Sequence, residues 1–284
     1  MKEVLVSSMG SVVLDVVCSA LENRLDTLKE WQLHCYTEPT GCSIKNLGPE
    51  TIQDLFNKLY ANQNVDWDRL VALEMAFFPC FDHEIMPKGI ARFFQNNPIE
   101  YVRLIGCVYK KDESSESQQQ AEMQQISPEQ VQVAYRILYR FNKIPGCNEE
   151  IVSAKIFEKW IEEGSGFAES IGLTRPFENC LGKLLSHAPL GSDGIFPHEM
   201  VREYFENGAS NVVVNGFLVG KYNQRGIHTV TAGAQEKEIA VKYRNDADSI
   251  RLDYPRTASI LDELADSYLQ ESIYERKREL IDYR

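Results

Sequence analysis

The sequence predicts an all-α protein, with antiparallel helix pairs packed in a helical-repeat-like array, an α-solenoid or a bundle. Three observations lead there. Apolar residues recur at three- and four-residue steps along most of the chain, which lines up one face of a helix. Pro49, Pro87, Pro98, Pro128, Pro197 and Pro255 stand at the starts of such runs, where a missing N–H is harmless and the fixed φ suits the first turn. About ten to twelve runs of modest length are joined by short loops, the layout of helix-on-helix packing. No strict period links the runs, so any repeat is a degenerate one.

In chain order, Val13, Val16, Val17, Ala20, Leu21, Leu25 and Leu28 share the first apolar face, and Pro49 opens the next run. Asp66 before Trp67 is a candidate N-cap. Asn97-Pro98-Ile99-Glu100 and Ser127-Pro128-Glu129-Gln130 both read as capping boxes with proline at the first helical position. Between them, residues 111–127 are rich in Gln, Ser and Glu. They lack the large apolar side chains that offset ordering entropy, which predicts a linker or long loop. It separates an N-terminal helical part, 1–110, from a C-terminal helical part, 128–284.

Val131, Ala134, Tyr135, Leu138 and Phe141 mark the helix after Pro128. Ile151, Ala154, Ile156, Phe157 and Trp160 mark another with one step out of phase, and Ile260, Leu261, Leu264, Ala265 and Tyr268 a late one. Phe77-Phe78 and Phe93-Phe94 cannot both face inward on a helix buried along one stripe. Either one ring of each pair is exposed, or the helix is covered on two sides as in a stacked array. Residues 211–220 admit two readings. The β-branched Val212-Val213-Val214 and the Asn215-Gly216 pair suit a short hairpin near 211–231. A helix instead sets Gly216 and Gly220 four apart on one face, where another helix could approach closely, and it is the preferred reading.

The 284 residues carry 30 basic and 42 acidic side chains, a formal net charge of -12. Residues 1–110 hold 10 basic and 14 acidic groups, so the excess is spread over both parts. That balance argues against nucleic-acid binding, which rests on clustered Lys and Arg. Arg276-Lys277-Arg278, set between Glu275 and Glu279, reads as a solvated helix end. Seven cysteines at irregular spacing argue against a disulfide scaffold and make a reducing cytoplasm the expected location. No basic leader and no run near 18 apolar residues is present, so neither export nor a membrane span is expected.

Chemistry-bearing motifs are few. His34, Cys35 and Cys42, and Cys80 with His83, lack the second ligand pair that structural zinc needs. Cys80 with His83 and Cys180 with His187 are local thiol–imidazole pairs, and spacing alone cannot make either a nucleophile. The phosphate-loop, dinucleotide, zinc-protease and serine-hydrolase signatures are all missing. No catalytic residue, cofactor or metal is predicted.

Polar and glycine residues concentrate between 186 and 233, with a shaped loop from His187 to Pro197. A functional reading makes Asp193, Asn223, Arg225 and Arg256 a ligand or partner anchor. The plainer reading has Arg225 and Arg256 capping helix carboxyl ends and pairing with acidic neighbours such as Asp253, and it is preferred.

Several segments carry a family resemblance: Met86-Pro87-Lys88-Gly89-Ile90-Ala91, Asn97-Pro98-Ile99-Glu100-Tyr101-Val102, Ser192-Asp193-Gly194-Ile195-Phe196-Pro197 and Asn223-Gln224-Arg225-Gly226. With Tyr254-Pro255-Arg256-Thr257-Ala258, they resemble the carboxyl-terminal helical region of long uncharacterised bacterial proteins. The resemblance implies one part of a larger polypeptide and a helix over 211–223. By analogy it implies a sensor or assembly module of defence or signalling systems, and it brings no catalytic residue with it.

The expected function is therefore a non-catalytic helical interaction, scaffold or sensor module that binds a protein partner of basic or mixed charge. The alternative is a ligand-binding or enzymatic domain with a pocket built from the 187–233 loops around Asp193, Asn223 and Arg225.

Overall fold

A computed structural model describes residues 49–61, 66–78, 81–82, 84–111, 127–147, 152–224 and 233–282. Among them are eleven helices and no strand, so the chain is all-α. Cys147 and Val152 form one isolated β-bridge. The run at 13–28, most of 111–127, and Cys35, Cys42, Cys80, His83 and Arg225 lie outside the described residues. No described helix is long and apolar enough to cross a membrane.

The described residues form two compact units. The first holds α1 (Pro49–Tyr60), α2 (Trp67–Phe77), α3 (Lys88–Asn96), α4 (Pro98–Val108) and α5 (Pro128–Arg140). The second holds α6 (Ala154–Ser170), α7 (Thr174–Leu185), α8 (Glu199–Glu206), α9 (Asn211–Asn223), α10 (Ala234–Ile250) and α11 (Pro255–Asp282). Although α5 follows residues 111–127 in the chain, it belongs to the first unit, because Phe141 at its end packs on Phe94 and Tyr101 at 5.9 and 5.3 Å between ring centres.

Four of the six prolines are the first residue of a helix: Pro49, Pro98, Pro128 and Pro255. Pro87 and Pro197 instead precede the helix, which starts at Lys88 and at Glu199. Asp66 caps α2 by accepting from the Asp68 and Arg69 N–H groups. Ser127 and Gln130 make both bonds of a capping box. The box read at Asn97 does not form. Its side-chain amide donates to Phe93 O at 2.8 Å and caps the end of α3, one residue before α4 begins at Pro98.

The first unit packs α2 on α3 and α4 on α5. Phe78 and Phe94 are buried while Phe77 and Phe93 are half-buried, so each aromatic pair straddles the edge of a core. Glu74 on α2 is fully buried and aimed at the start of α3. It accepts from Gly89 N–H at 3.0 Å, Ile90 N–H at 2.6 Å and the Tyr60 hydroxyl at 2.5 Å. These amides belong to the first turn, which has no helical acceptors of its own, and the negative charge suits the positive end of the helix. Burial pushes the Glu74 carboxyl above its ordinary value, against the pull of those three bonds.

In the second unit α10 and α11 form an antiparallel hairpin whose seam buries Ala240, Tyr243 and Ala247 with Ile260, Leu261, Leu264, Ala265 and Tyr268. The α11 residues are those the periodicity predicted. Residues 211–223 form a helix, so the hairpin reading of 211–220 is set aside. The reason is packing. Gly216 and Gly220 meet α7 at Asn179, Lys183 and Ser186, and Gly182 of α7 sits against Val213, Gly216 and Phe217. Without side chains at these points the two backbones touch, and α7 and α9 run in the same direction across the intervening α8. Phe217 then reaches a core with Phe196 and Phe205, at 5.8 and 5.1 Å between ring centres.

Candidate functional site

Of the four residues singled out from the sequence, Arg225 lies outside the described residues, and Asp193, Asn223 and Arg256 stand in three different settings. Asp193 lies in the loop before α8 and forms a two-pronged ion pair with Arg202, at 2.6 and 2.9 Å. Arg202 is 1% exposed, and two further donors go to Pro197 O at 2.6 Å and Ile195 O at 2.5 Å. One buried guanidinium thus ties the loop to the helix that follows it. The hydrogen bonds from Arg202 hold the Asp193 carboxyl down at about 2. Gly191 N–H donates to Ile195 O, His198 N–H to Pro189 O, and the Ser192 N–H and hydroxyl to Glu199. The loop satisfies its own polar groups, so its shape needs no ligand.

Arg256 serves a helix end, as the plainer reading expected. Its guanidinium donates to Phe205 O and Ala209 O just beyond α8. In return Glu206, the last residue of α8, accepts from the Arg256 and Thr257 N–H groups and the Thr257 hydroxyl at the start of α11. Each helix end supplies the charge that the other's dipole favours.

Asn223 is placed differently. It is exposed at the end of α9, on an open groove of about 800 Å³ between α9 and α11. The walls include Leu218, Val219, Tyr222, Leu264 and Tyr274, with Glu263 and Glu271 among the polar groups and no lysine or arginine among the described lining residues. Val219 is 47% and Tyr274 64% exposed. The Tyr222 hydroxyl donates to Glu271, bracing the two walls. Glu263 has no ion-pair partner among the described residues.

Behind the groove, Lys221 turns inward. Its amine lies 4.1 Å from the Phe196 ring centre and donates to Ser186 O and Gln224 Oε1. Burial, with Lys242 nearby, lowers it to about 8. The thiols of Cys147 and Cys180 are both pushed up to about 11 by burial, which disfavours the thiolate. Burial and Lys221 lower His187 to about 4. No cluster of three or more metal-ligating side chains occurs among the described residues.

The α11 half of the groove was missed from sequence. A signal existed: Glu263, Ser267, Gln270, Glu271 and Tyr274 follow helical spacing opposite the buried stripe. Exposed polar stripes are ordinary, however, and only the facing apolar rim of α9 turns this one into a groove. Comparison with family models, with curated proteins and with solved structures finds no match.

Proposed function

We propose that this protein is an α-helical interaction module, and that the groove between α9 and α11 docks an amphipathic helical segment carrying basic residues. One observation supports it above the others. An open, largely apolar groove exposes Val219 and Tyr274 beside two carboxylates and no cation among its described lining. Helix-in-groove recognition uses an apolar stripe at i, i+3, i+4 and i+7, and rim carboxylates select flanking lysines or arginines. The other candidate residues support the same reading: Asp193 and Arg256 have their charged groups engaged by the fold itself.

The test is an anisotropy titration with a fluorescein-labelled synthetic helix bearing leucines on one face and lysines on the other. The lysine peptide should bind, and a glutamate version of it should not. Val219→Glu, at an exposed position, should abolish binding and leave the melting temperature unchanged. Equal binding of both peptides, or no effect of Val219→Glu, counts against the proposal.

A further inference from the structure

Lys221 follows Gly220 on α9, and the glycine decides where the lysine side chain goes. A Cβ at Gly220 would meet Ser186 Oγ at 2.6 Å, so the last turns of α7 and α9 lie in contact. Lys221 therefore reaches the end of α7, where the final carbonyls have no helical donors. Its amine donates to Ser186 O at 3.3 Å and to Gln224 Oε1 at 3.2 Å. Gln224 is held in that orientation because its Nε2 donates to Ser186 Oγ at 2.7 Å. Gln224 is exposed and Lys221 half-buried, so a dissolved reagent can reach the amine.

The surroundings disfavour the protonated amine. Lys242 of α10 and His187, just after α7, are the titratable groups that act on it or feel it, and no carboxylate is among them. The Tyr268 hydroxyl of α11 donates to Lys221 O, on the main chain. Lys221 forms no ion pair among the described residues, although the chain carries 42 acidic side chains. The face of Phe196, 4.1 Å from the amine, favours the ammonium, whereas burial and the second lysine lower it to about 8. A neutral amine has two N–H groups. Ser186 O and Gln224 Oε1 accept both, which leaves the nitrogen lone pair free.

We infer that Lys221 is an acylation site, and that Lys242 draws an anionic acyl phosphate to it. The inference stands apart from the docking role, since neither lysine lines the groove. The Lys221 nitrogen attacks the acyl carbon, and the C–O bond to the phosphate breaks with its electron pair on the leaving oxygen. The amine's proton departs with the phosphate, so the products are an Nε-acyl amide and inorganic phosphate. Desolvation and a neighbouring cation are both means of making lysine a nucleophile. Lys242 is exposed and forms no ion pair, with Asp246 one turn along acting on it only at longer range. Its ammonium is therefore available to the donor's phosphate. At pH 7 an amine at about 8 is about 300-fold richer in the neutral form than one at 10.5, and its lower basicity takes back about tenfold of that.

Treating the full chain with acetyl phosphate and mapping the acetylated lysines over time by mass spectrometry tests it. At pH 7 Lys221 should react about tenfold or more faster than the exposed Lys155 and Lys237. Its rate should level off above about pH 8, and its preference should vanish in denaturing urea. Lys242→Gln should slow Lys221 several-fold with acetyl phosphate, and less with the uncharged donor N-acetoxysuccinimide, which has no phosphate to attract. Lys242 is exposed, so circular dichroism should show the variant folded. Labelling of Lys221 no faster than of Lys155 and Lys237, a rate still climbing at high pH, or a preference that survives unfolding would each overturn the acylation site. Equal slowing with both donors would overturn the role given to Lys242.

Discussion

Replacing Gly182 by alanine should separate α7 from α9, and the size of the effect follows from the backbone. A Cβ at Gly182 would stand 2.1 Å from Val213 O, 2.7 Å from Phe217 N and 2.9 Å from Gly216 Cα. All three are main-chain atoms, so no rotamer change relieves them. Reaching ordinary contact requires the helices to part by about 1.3 Å, and gaps of 0.5–1 Å already forfeit roughly a quarter to a half of each dispersion contact. Leu181, Leu184, Val213 and Phe217, all buried nearby, would lose close packing together. Overpacking costs about 1–3 kcal/mol or more, against about 1 kcal/mol returned by alanine's helix propensity.

Gly166 of α6 provides the control, since nothing lies within 4 Å of its added Cβ. Gly166→Ala should stabilise by about 0.5–1 kcal/mol. In thermal melts followed by circular dichroism, Gly182→Ala should lower the melting temperature by roughly 4–8 °C and Gly166→Ala should raise it by roughly 2–4 °C. Equal, stabilising shifts for both variants would refute the close backbone contact, and with it the frame that sets α9 against α11.

Four further substitutions test the charged side chains that the fold itself engages. Arg202→Met should destabilise by about 2 kcal/mol or more, because two carbonyls and the Asp193 carboxylate lose their donor. Asp193 is held near 2, below its ordinary 3.8, so the pair's contribution is complete above about pH 4 and is lost as pH falls towards 2; acid melts of Asp193→Asn should lack that decline. Glu74→Gln should destabilise by about 1–3 kcal/mol on chemical denaturation, since one of its two oxygens becomes an amide donor facing an N–H of Gly89 or Ile90. Arg256→Ala should lower stability by about 1–3 kcal/mol through the lost α8 carbonyl caps. It should leave lysine-peptide affinity unchanged, because Arg256 does not line the groove.

The parts of the fold legible in the sequence were those governed by local chemistry. The Ser127–Gln130 capping box, the Asp66 cap and the buried stripe from Ile260 to Tyr268 are set by residues within a turn or two of one another. The helix over 211–223 was legible through Gly216 and Gly220, whose spacing has a use only against a second helix. Asn97 misled because its amide could serve either the helix behind it or the one ahead. The Asp193–Arg202 clamp and the Glu74 cap join residues 9 and 15 or more positions apart, and no periodicity announces such pairs. The groove was least legible, since it exists only where the exposed sides of two helices meet.

The groove's occupancy can be mapped by placing a benzophenone on the apolar face of the lysine peptide, irradiating the complex and locating the cross-links by mass spectrometry. Docking in the groove predicts adducts at Leu218, Val219, Tyr222 and Tyr274, and none in the loop from Pro189 to His198. Adducts spread over the surface, or concentrated on that loop, would contradict it.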